Sequence, residues 1–333
     1  MIWFTWRQFR TQTWITVGAL AAVGVLLVIT GRTIADAYDA ANVAACGSDC
    51  SSAIDNFLHE VKTGTSGTAY DLATVAMYLV PALIGIFWGA PLLASELETG
   101  THRLAWNQSV TRTRWLATKL VIVGAATAAT VGLLSWAVTS WAHHIDQATG
   151  DRIAPGLYEA RGVVPIGYAL FAFILGVTLG MLIRRTVPAM AATLAIYGAA
   201  VISMQEWIRE HLVSASHVIN PLDTSSLDRL NIGPGEMTVR GSDNLPDAWV
   251  LSNHTITATG EVFKRTAHPQ YCAPEVSAQA CEQWLGTLGL RQDLTYHPAS
   301  NFWPLQWAET GILLAAAILL TGFSFWWTRR RLT

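Results

Sequence analysis

Few residues of this chain have the types and spacing that catalysis requires. The three lysines are Lys62, Lys119 and Lys264, and none follows a glycine, so the phosphate-binding loop of P-loop ATPases is excluded. The zinc-protease pattern His-Glu-x-x-His, the hydrolase pattern Gly-x-Ser-x-Gly and a glycine-rich dinucleotide turn are also missing from the sequence. We therefore expect no catalytic residue and no cofactor bound by this chain.

Two sets of polar residues remain candidates for a binding site. His143 and His144, with Asp146, can bind a metal ion, but polar residues that end a membrane span are the commoner case, and we expect no metal site. Glu206 and Glu309 lie about one turn inside the ends of apolar stretches, where acids are functional-site candidates. They can line the exit path or gate for a cationic substrate, or accept hydrogen bonds from an external domain.

The elements that position these residues are membrane spans. Apolar residues make up 52% of the 333 residues and charged residues 13%, about half the charged share of a soluble domain. A hydrocarbon core about 30 Å thick requires about 20 mostly apolar helical residues. Backbone groups in lipid must be satisfied internally, so stretches of that length are predicted to be helices. There are six: Trp14–Thr33, Leu72–Ala94, Leu116–Ala142, Val163–Ile183, Val187–Ile208 and Leu305–Trp327.

The distribution of charge predicts how the spans are oriented. With both termini in the cytoplasm, the inner segments hold eleven Arg and Lys residues against two acids, Glu96 and Glu98. The net charge of the chain is −2, so the excess of acids falls in the outer segments. A positive bias of the short inner loops is the signal that sets topology. We predict a multi-pass membrane protein with both termini cytoplasmic.

The cysteines agree with this orientation, since all four fall in outer segments. Four cysteines allow three pairings. The short separations favour Cys46–Cys50 and Cys272–Cys281 as local disulfides in an oxidising compartment. A redox or metal site is the alternative, but no His has a zinc-like spacing from either pair. We predict that both pairs are structural disulfides.

The segments outside the spans are predicted to add a short helix and a small domain. In residues 1–13, Ile2, Trp3, Trp6 and Phe9 share one side of a helix, as in a helix that lies in the membrane interface; the alternative is a frayed start of the first span. Residues 209–303 form the largest outer segment. In it Ala248–Phe263 has the composition of a β-hairpin, and Cys281–Leu290 that of a helix. The predicted fold is an all-α polytopic membrane protein with an interfacial helix and a small mixed external domain.

Two spans carry residues that change helix shape or packing. The second contains Pro81 and Pro91 with two glycines between them, and proline removes a backbone hydrogen bond, so we expect a bent helix. Gly176 and Gly180 in the fourth span form a Gly-x-x-x-Gly pair, which permits another helix to approach closely.

The inner connection at 94–119 has an acidic start and a basic end. Its sequence ASELETGTHRLAWNQSVTRTRWLATK runs from a Glu-x-Glu turn through Gly-Thr and a short amphipathic stretch to a Thr-Arg-Thr-Arg run before the third span. This order resembles the permeases of type-2 ABC exporters, as do the six spans, the amphipathic N-terminal helix and the basic Arg329–Arg331. The stretch Tyr296–Trp307 resembles the large actinobacterial branch of these permeases.

The resemblance implies partners and a mechanism. Two permease copies, expected to be identical, pair in the lipid bilayer above two copies of a separate ATPase, which bind ATP and Mg. A coupling helix near Gly100–Asn107 transmits ATPase closure to the spans, which export a hydrophobic or amphipathic substrate by alternating access. The residues implied in this coupling are Glu96, Glu98, Gly100, Thr101, Arg103, Leu104, Trp106, Arg112 and Arg114. Their basic members also suit positive-inside topology and contact with lipid phosphate.

Two other functions compete with transport. A membrane-anchored ligand receptor or signalling scaffold would have a cytoplasmic effector domain, whereas the inner segments are short. An intramembrane enzyme requires a catalytic set at membrane depth, and the spans hold no convincing one. An exporter subunit is therefore the prediction. The family's substrates include drugs, lipids, polysaccharides and peptides, and this choice stays open; no nucleic-acid partner is expected.

Overall fold

The computed structural model describes residues 2–46, 50–101, 111–150, 152–225, 227–232, 237–242, 245, 247–264, 271–272 and 277–331. They divide into two compact units. The first, here called the membrane unit, comprises Met1–Leu212 and Trp303–Thr333, and the second, the β unit, comprises Val213–Phe302. The external segment is predicted at 209–303, whereas the β unit spans Val213–Phe302 and Arg209 lies in the membrane unit.

The helices, in chain order, are α1 (Ile2–Ala40), α2 (Ser51–Thr63), α3 (Thr65–Ile84), α4 (Ala90–Thr99), α5 (Arg112–Thr149), α6 (Val164–Ile183), α7 (Thr186–Ser203), α8 (Ala278–Thr287) and α9 (Phe302–Arg330). Six stretches are long and apolar enough to cross a membrane, which confirms the six predicted spans. They are Trp14–Ala40, Thr65–Thr99, Arg112–Thr149, Val164–Ile183, Thr186–His211 and Ala299–Arg330. Several of these helices continue past the predicted ends, because the polar residues on either side of the apolar stretch are also helical.

The N-terminal segment is helical, as predicted, but it is not separate from the first span. Helix α1 runs from Ile2 to Ala40 without interruption, so residues 2–13 form its first turns. Whether these turns lie in the membrane interface stays a prediction.

Helix α6 is the central helix of the membrane unit. In its most apolar stretch 72% of residues are buried, against 11% for the first span. It packs against α3, α4, α5 and α7. Gly176 and Gly180 confirm the predicted close approach, because a Cβ at either position would overlap a backbone oxygen of Gly85 or Ala90.

The second span departs from regular α-helix between its two prolines. Residues Gly85–Gly89 form a π-helical turn that joins α3 to α4. Pro81 lies before this turn and Pro91 opens α4. Gly85 and Gly89 of the turn approach the backbone of α6, where side chains would not fit. A π turn therefore lies between the two prolines, at the contact with the central helix, and the predicted bend stays a prediction.

The tight loops follow their predictions. Arg184 and Arg185 alone connect α6 to α7, and Arg184 takes a left-handed conformation with φ 56°. Helix α2 lies in the segment between the first two spans, with Phe57 and Val61 buried among residues of α1, α3 and α5. The disulfide Cys46–Cys50, just before α2, is present as predicted.

The β unit contains two antiparallel sheets. Strands β1 (Ser216–Pro221), β4 (Ala248–Ile256) and β5 (Arg291–Pro298) form one sheet in the order β1-β5-β4, with Val218 opposite Leu294 and Asn253 opposite Leu294. Strands β2 (Leu227–Ile232) and β3 (Met237–Gly241) form the other.

A disulfide crosslinks the core of the β unit. Cys272 and Cys281 are bonded as predicted, and both are buried beside Met237, Phe263 and Leu285. The predicted hairpin at 248–263 is confirmed as β4 followed by a turn, after which Val262 pairs with Ile256. The predicted helix near Cys281 is α8.

Candidate functional site

The segment that was predicted to couple to an ATPase is bounded by two capped helices. Gly100 ends α4 in a left-handed conformation with φ 74°, a position that favours glycine. Thr111 precedes α5 and its Oγ1 accepts a hydrogen bond from the Arg114 backbone N–H at 3.3 Å. The predicted coupling helix, with Arg103, Leu104 and Trp106, lies outside the described residues. Thr101 is exposed and adjoins it.

Glu96 is buried in an ion pair. Its Oε1 accepts a hydrogen bond of 2.5 Å from Lys119 Nζ, which also donates to the Leu92 carbonyl at 3.3 Å. The Lys119 ammonium lies 4.9 Å from the centre of the Trp115 ring, and its side chain is 2% exposed. The pair therefore fastens α4 to α5. Because Glu96 is buried in this pair, its geometry suits a residue that orients α4 within the coupling segment, and its part in coupling stays a prediction.

Glu98 connects α4 to a different helix. Its Oε2 accepts hydrogen bonds from the backbone N–H of Thr186 at 2.9 Å and from the Thr186 hydroxyl at 2.8 Å. Thr186 is the first residue of α7, where backbone N–H groups lack partners within the helix. A carboxylate at this position also interacts favourably with the helix dipole. Glu98 thus acts as an N-terminal cap for α7, and its exposure still leaves it accessible.

Two described arginines of the segment lie near the surface. Arg114 is exposed and Arg112 is half-buried on the first turn of α5. Arg184 and Arg185 occupy the α6–α7 loop, beside the residue that Glu98 caps. Cations at these positions suit the contacts that the sequence predicts, with either an acidic protein surface or lipid phosphate.

A second group of charges lies at the predicted outer end of the membrane unit. Arg209 Nε and Nη2 donate to the two oxygens of Glu309 at 2.8 and 3.0 Å. Arg209 Nη1 also donates to Glu159 Oε1. Glu309 is 0% exposed and Arg209 is 1% exposed. These three residues are called the outer charge cluster below.

Tyrosines complete the outer charge cluster. Tyr168 donates to Glu309 at 2.6 Å and Tyr78 donates to Glu159 at 2.5 Å. The Arg209 guanidinium lies 4.6 Å from the centre of the Tyr158 ring. Burial by itself raises the pKa of the Glu159 carboxyl, but the charge of Arg209 and the hydrogen bonds from Tyr78 and Arg209 outweigh it and hold that pKa below its ordinary value.

Gln306 positions the loop that carries Glu159. Its Oε1 accepts hydrogen bonds from the backbone N–H groups of Val163 and Val164 at 2.9 and 3.0 Å. Its Nε2 donates to the Tyr158 carbonyl at 3.1 Å. Gln306 lies on α9 about one turn before Glu309, so the same helix holds both the loop and the second carboxylate.

The two acids predicted to share a site have different environments. Glu309 is buried in the outer charge cluster, whereas Glu206 is exposed on a π-helical turn, Met204–Ile208, at the end of α7. Among the described residues Glu206 makes no hydrogen bond or ion pair. The predicted acceptance of hydrogen bonds applies to Glu309, but its donors Arg209 and Tyr168 belong to the membrane unit rather than to the β unit.

Asp146 also has a charge partner. Arg161 donates to both oxygens of Asp146, at 2.7 and 3.2 Å, and Tyr70 donates at 2.7 Å. Its carboxylate is therefore occupied, and the described residues contain no group of three potential metal ligands around His143 and His144.

Sequence reasoning missed most of these partners. Lys119 contributes to the inner positive charge, but a lysine two turns inside an apolar helix is also a signal of a buried partner. Arg209 follows an apolar stretch, so the sequence predicts that it lies in the external segment. Glu159 and Arg161 lie in a loop with no motif, and no signal in the sequence pairs them with their distant partners.

The chain belongs to a family of membrane transport proteins. The family model described as ABC-2 membrane transporter related matches residues 17–209, more than half of the chain. The match begins within the first span, includes the second, third and fourth spans and all of α7, and ends at Arg209 within the fifth span. Comparisons with curated proteins and with solved structures find no match.

Family membership and fold together define the class. The chain is a multi-pass transmembrane subunit of an ABC transporter, a transport subunit that is not itself catalytic and whose family implies an ABC ATPase as partner.

Proposed function

We propose that this chain is the transmembrane subunit of an ATP-driven exporter of a bacterial plasma membrane. Two copies pair, two separate ATPase subunits bind ATP and Mg beneath them, and both termini face the ATPases. A hydrophobic or amphipathic substrate leaves by alternating access. The observation that carries the proposal is the pair of contacts made by Glu96 and Glu98, which tie the end of α4 to α5 and α7.

These contacts suit a mechanical connection. A displacement of residues 100–111 reaches α4 and α5 directly, because α4 ends and α5 begins at this segment. The Glu96–Lys119 pair resists sliding between the two helices, and Glu98 carries the displacement to the N-terminus of α7. Helices transmit such movements as rigid bodies. Exposed Arg114, half-buried Arg112 and the predicted coupling helix would contact the ATPase, with Glu96 as a positioning residue.

Purification of the tagged chain from its native cells in a mild detergent tests the proposal. A stoichiometric soluble protein with Walker and signature motifs is the expected partner. Recovery of the chain alone, or with a kinase, would instead favour the receptor or scaffold function. A charge-reversed Glu98 and Arg103 double variant is expected to lose ATPase co-purification or turnover, and retention of both would contradict the coupling assignment.

A further inference from the structure

A cavity of about 270 Å³ lies between the second, fourth and fifth spans, near the lower end of the range for ligand pockets. Residues of α3, α6 and α7 form its walls, together with Glu159 from the loop that precedes α6. The lining is mostly apolar and includes three tyrosines. The residues that matter for its chemistry are Tyr78, Glu159, Tyr168, Tyr197, Gly198 and Gln205.

The Tyr197 hydroxyl is a polar group in the wall. Tyr197 is 6% exposed, and its hydroxyl makes no hydrogen bond within the part of the chain that the structure describes. Its ring meets the Tyr168 ring edge-on, with 6.2 Å between ring centres. This hydroxyl can donate a hydrogen bond to a ligand or water, or accept one from it. The tyrosine rings also offer faces that attract a cation.

The charge beside the cavity is acidic. Glu159 lines it, and the outer charge cluster contains two carboxylates but one guanidinium. Tyr78 and Tyr168, whose hydroxyls bind these carboxylates, line the cavity as well. The site therefore has one acidic group more than it has basic groups, next to an aromatic and apolar space.

The cavity is accessible from the apolar surface of the membrane unit. Leu79, Leu194 and Ile202 line it and are each about half exposed, at 53%, 52% and 57%. A ligand that enters between such residues partitions into the hydrocarbon region first. This selects an amphipathic molecule over a strongly hydrated ion.

We infer that this cavity binds an amphipathic organic cation, with its apolar body between α3, α6 and α7 and its charged group beside Tyr78 and Glu159. As a substrate site it rests on the proposed export function, but binding itself requires no ATPase. The cation can be a free amphipathic molecule or the ammonium of a lipid headgroup, and the experiment distinguishes these sources.

The test uses the full chain in lipid nanodiscs made of phosphatidylglycerol, without ATPase. The probe is the fluorescent dimethylaminostyryl-N-methylpyridinium cation, and the matched competitor is the neutral styrylpyridine that lacks the N-methyl group, at a mildly basic pH. We expect the neutral compound to bind about tenfold more weakly than the cation. Equal affinities of the two compounds would overturn the inference.

Two variants locate the site. A Cβ on Gly198 meets open space, so Gly198→Phe fills the cavity, and we expect about a tenfold loss of dye affinity. Gly322→Phe is the matched control, since a Cβ on that glycine of α9 also meets open space, and its affinity should not change. Dye affinity that Gly198→Phe leaves unchanged would overturn the inference. Glu159→Gln should weaken cation binding but not binding of the neutral compound.

Nanodiscs that contain phosphatidylethanolamine identify the source of the cation. If the apparent dye affinity is lower in these nanodiscs than in phosphatidylglycerol alone, and this difference is absent in Gly198→Phe, the lipid ammonium occupies the site. An unchanged affinity assigns the site to a free cation. Failure of the ATPase to co-purify would contradict the proposed function and leave this binding result standing, so the two outcomes are separable.

Discussion

The guanidinium of Arg209 binds both carboxylate oxygens of Glu309, across a separation of 100 residues. Arg209 follows the π turn at the end of the fifth span, and Glu309 lies on the sixth. The chain between them includes the whole β unit, Val213–Phe302. This ion pair therefore connects the fifth and sixth spans, which precede and follow the β unit in the sequence. Glu159, in the loop before the fourth span, binds the same guanidinium.

Replacement of Arg209 should destabilise the membrane unit strongly. Arg209→Ala leaves two buried carboxylates without their cation, and removal of one partner of a buried pair costs about 3–5 kcal/mol. Thermal unfolding in detergent, followed by the loss of the monodisperse elution peak, measures the effect. Arg329→Ala, at an exposed position near the end of α9, should stay within about 0.5 kcal/mol of wild type. A wild-type melting temperature for Arg209→Ala would disprove the importance of the cluster.

The contribution of Glu159 to stability should depend on pH. Its pKa is lower in the folded protein than its ordinary value, so its contribution is fully present above the unfolded pKa and disappears as pH falls through the folded pKa. We expect wild type to exceed Glu159→Gln in melting temperature at neutral pH, and this difference to shrink under acidic conditions below the ordinary glutamate range. Arg209, Glu309 and Tyr78 surround the group and are unchanged in both proteins. A difference that is constant with pH would contradict the assignment.

Loss of the Lys119 ammonium should impair coupling more than assembly. Lys119→Ala removes the contact between α4 and α5, so we expect the ATPase to co-purify while substrate-stimulated ATP hydrolysis falls about tenfold or more. Lys62→Ala is the matched control, because Lys62 is exposed on α2 at the opposite end of the spans. Full stimulation in Lys119→Ala would remove the pair from the coupling path.

The contact between α6 and the second span should not accept a methyl group. Gly176→Ala places a Cβ against the backbone of Gly85 and Ala90, and overpacking of this kind costs about 1–3 kcal/mol. Gly198→Ala, where a Cβ meets open space, should be close to neutral. Thermal unfolding of the two variants side by side checks this, and equal melting temperatures would show that the helices are not held at this distance.

The disulfide of the β unit should be needed for its fold. Cys272 and Cys281 are buried in its core, and loss of a native disulfide typically costs about 2–5 kcal/mol. A Cys272→Ser, Cys281→Ser double variant should expose the segment 213–302 to limited proteolysis, detected by mass spectrometry. The Cys46→Ser, Cys50→Ser variant changes the other unit and should leave this digestion pattern unchanged.

Local composition was sufficient to predict the spans, both disulfides, the short α6–α7 loop and the β4 turn. Each depends on interactions within a short stretch of chain: apolar length against bilayer thickness, backbone hydrogen bonding, or closure of a short ring. The close contact at Gly176 and Gly180 was also predictable, since small residues at that spacing leave no side chain to separate two helices.

Tertiary structure alone decided which charges meet. Glu96, predicted to take part in coupling, is buried against Lys119, and Glu309 binds Arg209 and Tyr168 in the membrane unit rather than residues of the β unit. Glu206, of the same residue type and at a comparable distance from its span end, is exposed. Burial of a charge is tolerated only where packing brings an opposite charge or hydrogen-bond donors to it, and that depends on helices distant in the sequence.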